Sequence, residues 1–373
     1  MHRLAGLLAA LTIVTAACTA APAADATQAP QKTADFKQSQ LDLAYSFFSD
    51  NSVHRPTTKA LLTGALEAMK AEAKAAGGSA DVATPDFSDT PETSLPDFKK
   101  FAAAAGQLAA KNPQVAADRW ATAGITGMLK ADPDCHTYFL DGKGGVINSR
   151  SERPTGTGPQ IPSGGTVLQA PDSEQLQAKL LDGGIVYITW HAFRVDGTYK
   201  ITDQVKAVLD KGVAAGAKAW LFDLRGNVGG NGDDVMAAWF LNGEPMLKVQ
   251  VRTGNAGTRT AVQALRLPAA YQLPIAIILN DRGGSAPEVF TADLKENKRA
   301  TVVGQKSVGC LGGTNSVPIG QNGALLYVVQ QEFTGAVTGT KYNNIGITPD
   351  VPADDASAVS VASKLLLDKI AGR

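Results

Sequence analysis

The sequence predicts an α/β protein, in which a core sheet with helices packed on it is preceded by an N-terminal helical domain. Three observations predict this class. From about Thr166 onward, short apolar runs alternate with segments whose apolar residues recur at helical spacing. Before Leu140 the chain is rich in Ala, Leu, Lys and Glu and carries a helical period. Between the two, residues 141–165 are rich in Gly, Ser, Pro and Thr and read as a loop.

The chain begins MHRLAGLLAALTIVTAAC. A short basic start, an apolar stretch and a small-residue end make residues 1–18 a secretory signal peptide, too short for a comfortable membrane span. Cys18 follows Val14-Thr15-Ala16-Ala17, which is similar to a bacterial lipobox, so Cys18 is a candidate lipidation site. The alternative is ordinary cleavage after Ala21-Pro22-Ala23. Residues 19–33, rich in Ala, Pro, Thr and Gln, read as a flexible tether. The expectation is an exported bacterial protein of the cell envelope or periplasm, held to a membrane through Cys18.

The helical domain is expected over 34–140. Thr57–Ala76 places Leu62, Ala65, Leu66 and Met69 on one face and ends at Gly77-Gly78. An acidic, proline-containing loop covers Asp81–Pro96, and helices follow over Asp97–Lys111 and Pro113–Lys130, the second opened by its proline. The core is expected over 166–373. Its strands are Ile185–Trp190, Ala219–Leu224, Ile275–Asn280, Ala300–Gly304 and Leu325–Gln330. Its helices are Ile201–Lys211, Asp233–Leu241, a segment after Ser285, and Ala356–Ile370 with Leu365, Leu366 and Leu367 in the core.

Charge and composition narrow the function. With Lys+Arg 35 against Asp+Glu 35 the net charge is zero, so there is no electrostatic case for nucleic acid. Four histidines scattered singly make no metal-ligand spacing, and no glycine-rich phosphate loop is visible, so neither metal nor cofactor is expected. The 373 residues suffice for two domains.

The run Leu279–Gly313, LNDRGGSAPEVFTADLKENKRATVVGQKSVGCLGG, carries the most chemistry. A buried strand leads through Gly283-Gly284 into Ser285 and a helix with Pro287 in its first turn. A hydroxyl is thereby exposed at a helix N-terminus, where backbone N–H groups can stabilise an oxyanion. GSAPE followed by VVGQKSVG resembles the nucleophile segment of the C-terminal processing (tail-specific) serine peptidases. Three further segments resemble that family and occur in its order: DPDCHTYFL (Asp132–Leu140), LFDLRGNVGG (Leu221–Gly230) and GITPDV (Gly346–Val351).

The resemblance implies a serine-type hydrolase with Ser285 as nucleophile. It also implies a dyad lysine 25 residues on, where this chain has Cys310; Lys306 lies four residues too early. Relatives of the tricorn core protease use a histidine from the upstream motif and a carboxylate before the late signature. The matching positions here are His136 and Asn343, with Asn344 as a neighbouring alternative. Histidine suits the base role because its pKa lies near neutrality. Asparagine can hold an imidazole, as in papain-like cysteine proteases, but cannot stabilise imidazolium as a carboxylate would. The implied oxyanion donors are backbone N–H groups of Ala286 and of Gly229 or Gly230.

Each assignment has a plainer competitor: Ser285 as a helix N-cap, His136 as a packed histidine, Asn343 as a turn residue. Glu288 reads as structural, His191 as a structural strand residue, and His54 as a loop residue without functional signal. If His136 reaches Ser285, Cys135 and Cys310 must also be close, and an exported compartment permits a disulfide between them. The alternatives are two buried free thiols or a catalytic Cys310.

Most tail-specific proteases carry a PDZ domain between the DPHT-like segment and the core. About 44 residues separate Leu140 from Ile185, too few for one. The leading expectation is therefore a serine peptidase that cleaves peptide bonds through an acyl-enzyme, without the usual tail-capturing module. The alternatives are a degenerate peptidase fold that binds a peptide or apolar ligand, and an esterase or amidase. Gly254–Ala261 is a further candidate for the substrate cleft.

Overall fold

The computed structural model describes residues 35–150, 155–252, 257–320 and 322–373. The expected signal peptide, tether and lipidation at Cys18 lie outside the described residues, as do positions 254–256 of the candidate cleft segment.

Among the described residues four helices come first: α1 (Gln38–Asn51), α2 (Thr58–Ala75), α3 (Leu95–Lys111) and α4 (Ala117–Ala131). The Thr57 hydroxyl accepts the Ala60 N–H and starts α2. Ser94 does the same for α3 through Asp97, so α3 begins two residues before the expected Asp97. Helix α4 begins at Ala117, not Pro113. The buried Asn112 side chain bonds the Leu108 and Ser79 carbonyls, ends α3, and leaves Pro113 in the turn between the helices.

Among the described residues thirteen strands follow in chain order: β1 (Tyr138–Leu140), β2 (Val146–Asn148), β3 (Thr166–Gln169), β4 (Gln177–Leu181), β5 (Ile185–Thr189), β6 (Ala219–Asp223), β7 (Pro245–Val251), β8 (Gly257–Thr260), β9 (Ile275–Leu279), β10 (Ala300–Gly304), β11 (Gly312–Pro318), β12 (Leu325–Thr334) and β13 (Val351–Pro352). They form two sheets. One runs β13-β10-β9-β6-β5-β4-β3, parallel from β13 to β5 and antiparallel at β4 and β3. The other, antiparallel, runs β2-β1-β12-β7-β8, with β11 also on β12.

The parallel sheet is covered on both faces, which is why its strands are apolar throughout. Phe222 and Ile277 point to one side, where α5 (Ile201–Ala214), α6 (Asp233–Ala238) and α7 (Ala286–Glu296) contribute Val205, Met236 and Phe290. Leu221 and Ile278 point to the other, under α8 (Ala358–Ile370). Of the expected Leu365–Leu367 core segment only Leu366 is buried; Leu367 faces outward, as helical spacing requires.

The antiparallel sheet shares its core with the N-terminal helices. Phe48, Leu66, Phe101 and Met128 pack with Phe139, Leu326 and Val328. The segment expected as a loop after Leu140 contributes β2, and the described residues before Ile185 contribute β3 and β4.

Candidate active site

Strands β6 and β9 are parallel neighbours, and each runs at its C-terminal end into one of the glycine-containing turns singled out in the sequence. The turn after β9 ends at Ser285, whose φ of 72° and ψ of −124° are unusual for a residue with a side chain. Such a conformation costs about 1–3 kcal/mol and persists only where surroundings enforce it. Two bonds enforce it here. Gly284 donates its N–H to the Asn227 carbonyl at 3.2 Å, and Ser285 donates its N–H to Glu288 Oε2 at 3.3 Å.

Glu288 is fully buried and also accepts the Ser307 hydroxyl, the Gly309 N–H at 2.8 Å and the Cys310 N–H at 2.7 Å. Burial pushes its carboxyl above the usual range, opposed by these donors. One carboxylate thus ties the start of α7 to the 307–310 loop, in keeping with its structural reading.

The Ser285 hydroxyl meets His136: Oγ lies 3.2 Å from Nε2. His136 stands just before β1, in a tight segment organised by Asp134. Asp134 Oδ1 accepts the His136 backbone N–H at 2.7 Å and lies 3.6 Å from the ring Nδ1. Burial opposes ionisation of Asp134, yet bonds from His136 and Asn343 outweigh it and hold the carboxyl below its ordinary range.

Asn343 is placed differently from the expectation. Its amide donates to Asp134 Oδ2 at 2.7 Å and its oxygen accepts the Leu311 N–H at 3.0 Å. The Asn344 amide also reaches Asp134 Oδ2, at 3.3 Å. Both asparagines hold the carboxylate rather than the imidazole. The sequence reading missed Asp134 although it lies inside the quoted DPDCHTYFL; an acid two residues before the histidine was the available signal.

It also missed His54. Its Nδ1 lies 2.7 Å from Asp132 Oδ1 and its Nε2 3.7 Å from Asp134 Oδ2. His191, expected in a strand, is exposed beyond the end of β5.

Cys135 and Cys310 form a disulfide, with Cα atoms 5.8 Å apart and a sequence separation of 175. Cys310 is thereby half of a cross-link, which removes the free-thiol and catalytic-thiol alternatives. Lys306 is exposed.

The two candidate glycines differ. The Gly229 N–H is donated to Asn227 Oδ1 at 3.0 Å, which takes it out of the role of oxyanion donor. Its φ is 89°, and a Cβ there would stand 2.6 Å from that of Ser285, so only glycine fits. Gly230 lines the cleft, as does Ala286.

The cleft measures about 1140 Å³; around its walls stand Ser285, His136, Gly230, Arg259 and Phe333. Arg259 is the described part of the candidate segment that reaches it. Its guanidinium lies over the Phe333 ring and pairs with Asp293 at 3.1 Å and Asp233 at 3.9 Å. Burial raises Asp293 to about 7 and Asp233 to about 6, against the pull of Arg259.

Residues 184–353 match the family model of peptidase family S41. This segment holds strands β5, β6, β9, β10 and β13 together with Ser285. His136 and Asp134 lie outside it. The chain is similar to the carboxy-terminal-processing protease of Bartonella bacilliformis, 28% identical over 173 residues, 46% of this chain and 39% of that protein. It is also similar to the "Probable CtpA-like serine protease" of Staphylococcus aureus, 31% identical over 176 residues, 46% of this chain and 34% of that protein. The chain thus matches little more than a third of the length of these curated relatives. A solved chain from Parabacteroides merdae shares the fold with a TM-score of 0.50 at 18% identity, covering 67% of this chain and 83% of that one.

Proposed function

We propose that this chain is an exported peptidase that hydrolyses peptide bonds through an acyl-enzyme at Ser285. The observation that carries the reading is the 3.2 Å approach of Ser285 Oγ to His136 Nε2 on a strained strand-to-helix turn. In this reading His136 takes the hydroxyl proton as Oγ attacks the substrate carbonyl carbon. It then returns that proton to the leaving amine as the C–N bond breaks, and water releases the acyl group by the same route in reverse. Asp134, through Nδ1, orients the ring and stabilises imidazolium, the task a carboxylate performs in a catalytic triad. Asn343 and Asn344 keep Asp134 in place. The Ala286 and Gly230 N–H groups are the candidate oxyanion donors.

The organisation supports a helical layer over 34–140 and a catalytic core over 166–373, with the base supplied just before β1. The Cys135–Cys310 disulfide supports an oxidising compartment, consistent with export and with anchoring through lipidated Cys18. Among the described residues, no helix is long and apolar enough to cross a membrane. The substrate class is a peptide or protein.

The reading is tested by treating the purified mature protein with a fluorophosphonate probe and mapping the adduct by mass spectrometry, alongside incubation with an unfolded protein such as reduced casein. An adduct on Ser285 and new peptide termini are expected. An intact substrate and an unmodified Ser285 would overturn it in favour of a binding protein on a peptidase fold.

A further inference from the structure

Asp132 and Asp134 are both buried, with side chains 1% and 0% exposed. Ionised carboxylates in such surroundings need donors or a positive charge. Asp134 has amide donors from Asn343 and Asn344. Asp132 has the Ser52 hydroxyl at 2.6 Å. One side chain faces both acids, His54, with one ring nitrogen toward each.

The turn that delivers His54 is built for that placement. The Ser52 hydroxyl that bonds Asp132 also accepts the His54 N–H at 3.2 Å. Val53 donates its N–H to the Val329 carbonyl on β12, which pins the turn to the antiparallel sheet. Arg55 closes the turn with φ of 56°, a strained conformation for a residue with a side chain.

We propose that His54 is a positioning residue for the hydrolytic site: as an imidazolium bridging Asp132 and Asp134, it fixes the carboxylate that faces His136 and tempers its charge. This rests on the reading of Ser285, His136 and Asp134 given above. The charged groups that face His54 are Asp132, Asp134 and Glu332 of β12, and all three favour its protonated form. The hydrogen bond to Asp132 is the largest cause of its raised pKa, and burial opposes it.

Two consequences separate this role from simple packing. First, His54 is coupled to His136 through Asp134, so loss of the His54 proton leaves a lone pair facing a carboxylate and disturbs the base. Second, removing the His54 charge strengthens the field of Asp134 at His136 and makes His136 harder to deprotonate.

The test uses the mature protein and His54→Gln, which keeps an amide but carries no charge. Imidazole NMR titration follows His136 and His54, and the rate of fluorophosphonate labelling is measured against pH. The result expected is an upward shift of the His136 titration in His54→Gln, a matching shift of the acid limb of labelling, and loss of any alkaline limb that tracks His54. In the unaltered protein, the His136 signal should show a second inflection as His54 titrates, a measurement that needs no variant to fold. An unchanged His136 titration together with no second inflection overturns the proposal. If the unaltered protein shows no labelling at all, the peptidase reading fails, while the NMR coupling still decides whether His54 controls the Asp134–His136 pair.

Discussion

The nucleophile and the base are held by opposite means. Ser285 sits on the parallel sheet, where a contiguous strand, turn and helix force its backbone into a strained conformation and one buried carboxylate, Glu288, anchors the turn. His136 stands just before the three-residue β1 of the antiparallel sheet, and the Asp134 beside it is met from distant parts of the chain, by Asn343 and Asn344 from the late loop and by His54 from between α1 and α2. The Cys135–Cys310 disulfide joins the two regions. Local backbone geometry places the nucleophile, and long-range side-chain bonds place its base. Substitutions should therefore act on the two halves differently.

The largest effect should come from the reacting atoms. Ser285→Ala or His136→Ala should lower the rate of fluorophosphonate labelling roughly 10⁴-fold or more, with melting temperatures close to that of the unaltered protein. Asp134→Asn should follow at about 10³–10⁴-fold, because the base keeps its place but loses its carboxylate. Asn343→Ala, one bond further out, should cost about tenfold, since it removes a hydrogen bond to the Asp134 carboxylate of about 1.5 kcal/mol and leaves the Leu311 N–H without its acceptor. A loss for Asn343→Ala as large as that for Asp134→Asn would remove the distinction between carboxylate and support.

Paired Cys135→Ser and Cys310→Ser substitution tests the join. A disulfide closing 175 residues should contribute up to about 5 kcal/mol by the chain-entropy estimate. Urea unfolding should show a lower midpoint with labelling impaired in the native baseline, since both the base and the 307–310 loop lose their tether. An unchanged midpoint would mean the hydrogen bonds alone hold the two regions together.

The smallest effect is one of pH on stability. Asp293 and Asp233 are raised from 3.8 to about 7 and about 6 by burial. The fold then favours their protonated forms, so their contribution is fully present below about pH 4 and is lost as pH rises through 6–7. Urea midpoints of the unaltered protein should carry this decline between pH 4 and 7, and Asp293→Asn should flatten it. A slope left unchanged by the substitution would show that Asp293 is already ionised at pH 4.

The same contrast explains what could be read in the sequence. The Ser285 turn was legible because every residue that makes it is adjacent in the chain: the apolar β9, Gly283-Gly284, the serine and Pro287. The covered strands β5, β6, β9 and β10 were legible for the same reason, each a continuous apolar run. Of the antiparallel sheet only β12 was expected, in part, as Leu325–Gln330. Strands such as β11, GGTNSVP, carry no apolar period and exist through pairing with β12. Asp134 was overlooked because a partner expected just before the late motif drew attention to Asn343, and the two are hydrogen-bonded to each other. His54 lay 82 residues from His136 in sequence, with nothing local to mark it. The cysteine pairing followed from the expected meeting of His136 with Ser285, so one long-range contact carried a second.

The most direct test of the account is the labelling rate of Asp134→Asn beside that of Asn343→Asp at matched pH, with adducts mapped to Ser285. The account predicts a severe loss for Asp134→Asn and a modest change of either sign for Asn343→Asp, because the working carboxylate is already present two residues before the base. Labelling that survives Asp134→Asn at nearly full rate would contradict it.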